Sequence, residues 1–282
     1  MRLFVLATVL AAAASARDSA WRPGFGLASL WNDGAAEVST YETIDVKYGI
    51  PRTSRAVLIV VAEDLDRARL VKAEKPAGEP ETVRVLKLNH VRSIPTGVYT
   101  YQQMLSVYSA ARSARLDPLK VTMTSHEWCG NSFVEWRADR AAIEIRSYFE
   151  NTGDIDAPLS PGGAVFYDAL PLQLRALDFG RVESGKLRVI ESVFASNPKP
   201  PQTDDAVFEI TRPEGAAGVF RVEMRRGIRS DTFDFEREFP HRLTHWKRSD
   251  GGSMRLMASE RFRYWLKNAP GDERLRPWRG TP

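Results

Sequence analysis

Apolar and polar residues alternate along most of this chain with a period of two, the period that sends successive side chains to opposite faces of a strand. Ala36, Val38, Ile44, Val46 and Tyr48 fall on one face and Glu37, Ser39, Thr43, Asp45 and Lys47 on the other, which predicts a half-buried strand. Val57 to Val61 is a short continuous apolar run between Arg55 and Glu63, as expected of a strand buried on both faces. Val83, Val85, Leu86 and Leu88 carry the pattern to a turn at Pro95-Thr96-Gly97. Leu119, Val121 and Met123 alternate with Lys120, Thr122 and Thr124 and lead into Ser125-His126-Glu127-Trp128-Cys129-Gly130. Further strands are predicted over 142–149, 187–194, 206–211, 219–225, 232–237, 242–247 and 254–260, the last two flanking an Asp250-Gly251 hairpin signal. So many strands with turns between them predict a mainly β fold: a large curved antiparallel sheet, a half-barrel, with one or two short helices.

The best helix candidate is Asp168 to Leu177. Asp168 is placed to cap the first amides, Pro171 is tolerated in a first turn, and Leu170, Leu174 and Leu177 share a face suited to packing over a sheet. Asn151 to Gly163 and Ser196 to Asp205 are rich in Gly, Pro and Asp and read as loops. No internal repeat divides the chain. The expected organisation is a single β-rich domain over 17–282, with a possible subdivision near 151–163.

The N-terminus changes the expected location. Met1-Arg2, an apolar stretch from Leu3 to Ala14 and the small triplet Ala14-Ser15-Ala16 form a secretory signal peptide over 1–16, and the stretch is too short to span a bilayer. The mature chain is therefore expected in the periplasm or outside the cell. One cysteine, Cys129, excludes an internal disulfide framework and any multi-cysteine metal site. A formal charge of +4 is too mild for a nucleic-acid-coating protein, so no nucleic-acid partner is expected. The charge is uneven: from Arg221 to the end there are 15 Lys/Arg against 9 Asp/Glu. There Arg261, Phe262, Arg263, Tyr264, Trp265, Arg274, Arg276, Trp278 and Arg279 interleave aromatics with arginines, a pattern for peripheral contact with an anionic membrane.

Candidate chemistry is thin. The segment Ser125 to Ser132 is the densest in reactive types, but Trp128-Cys129-Gly130 lacks the second cysteine and the βαβ setting of a thioredoxin site. A Cys–His hydrolase or transferase would use Cys129 with His90, His126, His241 or His245 as base; on one strand, however, His126 and Cys129 face opposite ways. His241 and His245 lie on a strand-like run, where a spacing of four does not bring them together around a metal. Neither a Gly-rich phosphate loop nor a Gly-x-Ser-x-Gly elbow is present, and no cofactor is implied. What remains is shape: a curved sheet with an apolar concave face binds a lipid, an acylated polypeptide or another amphiphile without catalysis. The supply of 13 Phe, 8 Tyr and 7 Trp suits this, and Tyr99, Tyr101, Trp128 and Trp136 are the candidate binding surface. An enzyme dependent on Cys129, or an envelope scaffold with no small ligand, are the alternatives.

Val85-Leu86-Lys87-Leu88-Asn89, Thr96-Gly97-Val98-Tyr99-Thr100-Tyr101, Lys120-Val121-Thr122 and Glu127-Trp128-Cys129-Gly130 resemble a family of uncharacterised secreted bacterial proteins. That resemblance implies relatives but no activity. Tyr167-Asp168-Ala169-Leu170-Pro171-Leu172-Gln173-Leu174-Arg175 and the hairpin from Trp246 to Glu260 resemble periplasmic β-proteins similar in architecture to the LolA/LolB lipoprotein carriers. This second resemblance implies the half-barrel, a lipid or lipoprotein-like ligand and an envelope role; architecture alone does not license transport.

Overall fold

The computed structural model describes residues 20–276 apart from 76, 77, 79, 216 and 217. The signal-peptide reading of 1–16, and Trp278 and Arg279 of the tail, lie outside the described residues. The fold is mainly β. Its first wing comprises β1 (Ala36–Lys47), β2 (Ile50–Asp66), β3 (Val71–Lys72), β4 (Thr82–Pro95) and β5 (Thr100–Ala110), followed by β6 (Pro118–Glu127), β7 (Gly130–Arg137), β8 (Ala142–Ser147) and β9 (Asp154–Pro158). The second comprises β10 (Val165–Phe166), β11 (Ser184–Ile190), β12 (Thr203–Thr211), β13 (Val219–Arg226), β14 (Arg229–Glu236), β15 (Leu243–Arg248) and β16 (Ser253–Phe262). They form one sheet in the order β10-β11-β12-β13-β14-β15-β16-β1-β2-β4-β5-β6-β7-β8-β9, with β3 attached to β2. Neighbours are antiparallel except the short parallel pair β10–β11. The Asp250-Gly251 turn closes the β15–β16 hairpin as its sequence predicts, with Gly251 at φ 89° and the Gly252 amide donating to Asp250 Oδ1.

Several expectations from the sequence need correction: β5 and β7 are strands that it did not place, and Thr203–Asp205, read as the end of a loop, opens β12. Asn151–Gly163 is not all loop: Asp154–Pro158 pairs with β8 as β9, and its Asp and Pro residues suit the sheet edge on which it lies. The segment predicted as one amphipathic helix is instead a string of tight turns: one α-helical turn, α1 (Leu170–Gln173), between 3-10 turns at Tyr167–Ala169 and Leu174–Ala176. It is buried on every side, from Ala164 to Leu177. Asp168 does not cap it; its carboxylate accepts from Ser192 Oγ and the Val193 amide.

The reason is that the segment lies inside the curl of the sheet rather than over it. Phe166 packs on Trp136 of β7, with ring centroids 4.7 Å apart, while the next residue, Tyr167, packs on Trp246 of β15 at 5.5 Å. Those strands are seven positions apart in the sheet, roughly 33 Å if it were flat. The sheet therefore curls around the segment, yet its edge strands β9 and β10 are not paired with each other, and it does not close into a barrel. One apolar cluster contains residues of both wings and the segment itself, including Leu105, Met123, Leu170, Leu174, Val222 and Phe233. The concave face predicted to hold a greasy ligand is filled by the protein's own chain.

Polar contacts fix the segment's position in that apolar surrounding. Arg175 gives a two-pronged ion pair to Glu37 of β1, at 2.8 and 2.9 Å, and its Nε donates to the Pro240 carbonyl. Gln173 donates to the carbonyls of Arg115 and Leu116, and the Tyr167 hydroxyl donates to Asp231. Trp21, Phe25 and Trp31, ahead of β1, join the core at one end, where the Arg22 amide donates to the Ala176 carbonyl.

Candidate functional site

The turns joining β1 to β2, β4 to β5, β6 to β7 and β8 to β9 all fall at one rim, because alternate connections of an antiparallel meander share an end. The first is a two-residue turn with Tyr48 at φ 56° and Gly49 at φ 72°, positive at both positions as a twisted hairpin requires. Gly49 adopts this freely. Tyr48 does not, and its compensation is visible: its hydroxyl lies 2.7 Å from that of Tyr99 and 2.6 Å from that of Tyr101. Tyr99 and Tyr101 stack obliquely at 5.6 Å, and Tyr99 faces the Trp128 indole at 6.2 Å. Trp128 is 76% exposed at the apex of the β6–β7 turn. Tyr148 extends the row, its ring laid so closely over Gly130 that a Cβ there would collide with it.

Between Tyr99 and Trp128 opens a cleft of about 340 Å³, with Gln102, His126 and Glu127 as polar lining and Val98 at its lip. Behind this aromatic shelf runs the loop that joins β11 to β12. Ser196 accepts from Lys47 Nζ at 3.0 Å and from Gln103 Nε2 at 3.2 Å, and its carbonyl accepts from Ser132 at 2.8 Å. Arg92 donates to the Phe194 carbonyl, lies 3.8 Å above the Phe194 ring, and pairs with Asp45 at 3.3 Å. The Lys47 ammonium sits 4.3 Å over the Tyr101 ring.

Burial, then the nearby Arg92 charge, hold the Lys47 ammonium below its usual range. Burial, then the Tyr48 hydroxyl, push the Tyr101 phenol well above its own. Burial also raises the Asp45 carboxyl, but Arg92, Ser54 and Arg248 outweigh it and hold Asp45 below the usual carboxylate range. The shelf therefore presents phenols and an indole above Lys47 and the Arg92–Asp45 pair.

Of the four candidate binding residues, the structure brings Tyr99, Tyr101 and Trp128 together. Trp136 stands apart: it is 2% exposed, packs on Phe166 and donates from Nε1 to the Leu159 carbonyl. Sequence reasoning missed Tyr48, which it placed on a strand face with Val46. The signal was Tyr48-Gly49, a bulky residue beside a turn-forming glycine between two alternating runs.

Cys129 is exposed at the apex beside Trp128. His90 packs against Phe194 in the interior, level with Leu105 and Met123, about 20 Å down the strands from Cys129. Burial, then Arg92, press His90 down to about 3. His245 belongs to β15 on the other wing, and His241 lies buried at the opposite rim. His126 pairs across the hairpin with Asn131 and does not bond Cys129. Among the described residues no histidine is hydrogen-bonded to the thiol as a base would be. Among the described residues no group of three or more His, Cys, Asp or Glu is placed to hold a metal ion, and no helix is long and apolar enough to cross a membrane.

In the tail, Arg261 is committed to structure, donating to Asp33 and to the carbonyls of Leu30 and Ala35. The chain matches no known family model and no curated protein. Among solved structures it is similar to a β-barrel-like protein of a domain of unknown function, DUF1849, from Brucella abortus. The identity is 8%, over 80% of this chain and 97% of that one, at a TM-score of 0.48.

Proposed function

We propose that the protein is a non-enzymatic binding module of the cell envelope, taking an amphiphilic ligand, or the corresponding part of an envelope partner, on the aromatic shelf. The observation that carries this reading is the exposed Trp128 indole beside three tyrosines whose hydroxyls are already satisfied by one another. A folded soluble protein gains nothing from holding an indole in water; a ligand that covers it gains about 2 kcal/mol or more from apolar burial. The cleft beside it supplies Gln102, His126 and Glu127 for a hydroxylated or charged head group. Because the interior is filled by residues 164–177, this reading puts the ligand at the rim rather than in a barrel.

The test uses decyl maltoside and lysophosphatidylcholine below their micelle-forming concentrations, with binding followed by tryptophan fluorescence. At least one should bind saturably, and Trp128→Ala should weaken that binding by about tenfold or more, or roughly 1.4 kcal/mol. The substitution is at an exposed apex, so the melting temperature should stay within about 1–2 °C of the parent. Unsaturable binding, or equal affinity in W128A, would rule the shelf out.

A further inference from the structure

The rim that carries the shelf continues onto the other wing. Asp231 pairs with Arg248, Lys247 with Ser253, and Ser253 with Ile44, so Asp231 is level with Asp45. The β13–β14 turn at Gly227-Ile228 then stands level with the β1–β2 turn at Tyr48-Gly49. Ile228 is fully exposed, Val98 81%, Tyr148 73% and Tyr48 67%. Each sits in or beside a hairpin turn, as Trp128 does. At the opposite rim Leu27, Val71 and Phe239 are each less than half exposed, and in the tail that leaves from it Trp265 is 44% and Leu266 61% exposed.

We propose that this rim docks on a lipid bilayer, the hairpin apices entering its interfacial layer and the strands rising from its surface. Trp and Tyr carry an apolar body with a polar tip, the combination that partitions to the boundary between head groups and acyl chains. The aliphatic apices decide between partners. Ile228 and Val98 have no ring on which a sugar can stack. The Ile228 apex is set apart from the shelf by the Asp250-Gly251 hairpin, whose turn carries no large apolar side chain, so the rim is not the single continuous patch that a protein interface buries. Exposed Lys199 and Arg229 at this rim face exposed Glu150, Asp154 and Asp250, so it has no positive excess, and attachment is by insertion rather than charge. The basic tail lies elsewhere: β16 ends at Phe262, paired with Ala36 at the opposite rim, and one flat bilayer does not reach both.

The test is cosedimentation with phosphatidylcholine vesicles, with and without phosphatidylglycerol, at about 0.1 M and about 1 M salt, which shortens the screening length from ~10 to ~3 Å. The protein should pellet with phosphatidylcholine alone, and its affinity should change less than about twofold with salt, since insertion is not screened. Ile228→Asp should weaken vesicle binding about tenfold or more, while decyl maltoside binding and melting temperature stay unchanged. That separates this proposal from the shelf reading, because Ile228 belongs neither to the shelf nor to the cleft lining. Trp265→Ser with Leu266→Ser in the tail should leave vesicle binding intact. Absence of pelleting, pelleting that needs phosphatidylglycerol and disappears in high salt, loss in the tail variant, or full binding by I228D overturns the proposal. Pelleting on a chitin suspension but not on vesicles overturns it in favour of a glycan.

Discussion

Replacing Arg175 by leucine should lower the unfolding free energy by about 3–5 kcal/mol and the melting temperature on the order of 10 °C. Arg175 and Glu37 are 3% and 4% exposed, and their two-pronged pair is surrounded by the apolar cluster that joins both wings. Removing the cation leaves the Glu37 carboxylate buried without a partner, and leaves the Pro240 carbonyl without its donor. The loss belongs to the orphaned charge and not to the worth of the pair, so the doubly substituted Glu37→Met, Arg175→Met protein should recover most of it. An exposed pair of the same length is the control. Arg225 and Glu209 also meet at 2.8 Å, but at more than half exposure each, and Arg225→Ala should cost less than about 1 kcal/mol. Urea unfolding of the four proteins checks the pattern. Equal losses for R175L and R225A would mean that Arg175 does not organise the interior.

That interior shows where the sequence could and could not be read. Alternation located most of the strands and predicted the sheet because period two is a local property, but it passed over β5 and β7, where polar residues interrupt the apolar face. The closing hairpin was legible down to its Asp250-Gly251 turn. Which elements the sheet curls around is not local. Arg175 and Gln173 look like the solvent side of an amphipathic helix until Glu37, 138 residues away, is seen to meet Arg175. Asp168 likewise resembles an N-cap until the β11–β12 loop is seen to supply both of its donors. Trp128 and Tyr99 were recognisable as candidates from residue type, but Trp136 was equally recognisable and lies in the core. Only register separates them, since an aromatic in mid-strand is buried by its neighbours whereas one at a turn apex is not. The rim itself was within reach, because Tyr48, Val98, Trp128 and Ile228 are all bulky residues at turns between alternating runs.

Changing Asp168 to asparagine should shift stability by about 2 kcal/mol relative to the parent between pH 4 and pH 7, in the variant's favour as pH rises. Burial raises the Asp168 carboxyl from 3.8 to about 6, against the opposing donation of Ser192 and the Val193 amide. Below pH 3.8 folded and unfolded chains both hold the proton. Between 3.8 and about 6 the unfolded chain releases it while the folded chain keeps it, so stability from this group falls with rising pH. Above 6 both are ionised and the loss is complete. His90 acts in the opposite direction: held down at about 3 from 6.5, it resists protonation only when folded, and its contribution is lost as pH falls below 6.5. The two windows overlap and both groups feel Arg92, so the parent's own stability curve is a poor witness. The difference between parent and D168N is a good one. Asparagine can accept from the Val193 amide and donate to Ser192 Oγ, which keeps the loop tied while removing the ionisable group. Urea unfolding of both proteins at several pH values measures the difference. A gap that stays constant from pH 4 to pH 7 would mean that Asp168 titrates as an ordinary carboxylate. A gap that widens as predicted makes it the acid that ties the buried segment to the loop carrying Ser196, and through Ser196 to Lys47 beneath the shelf.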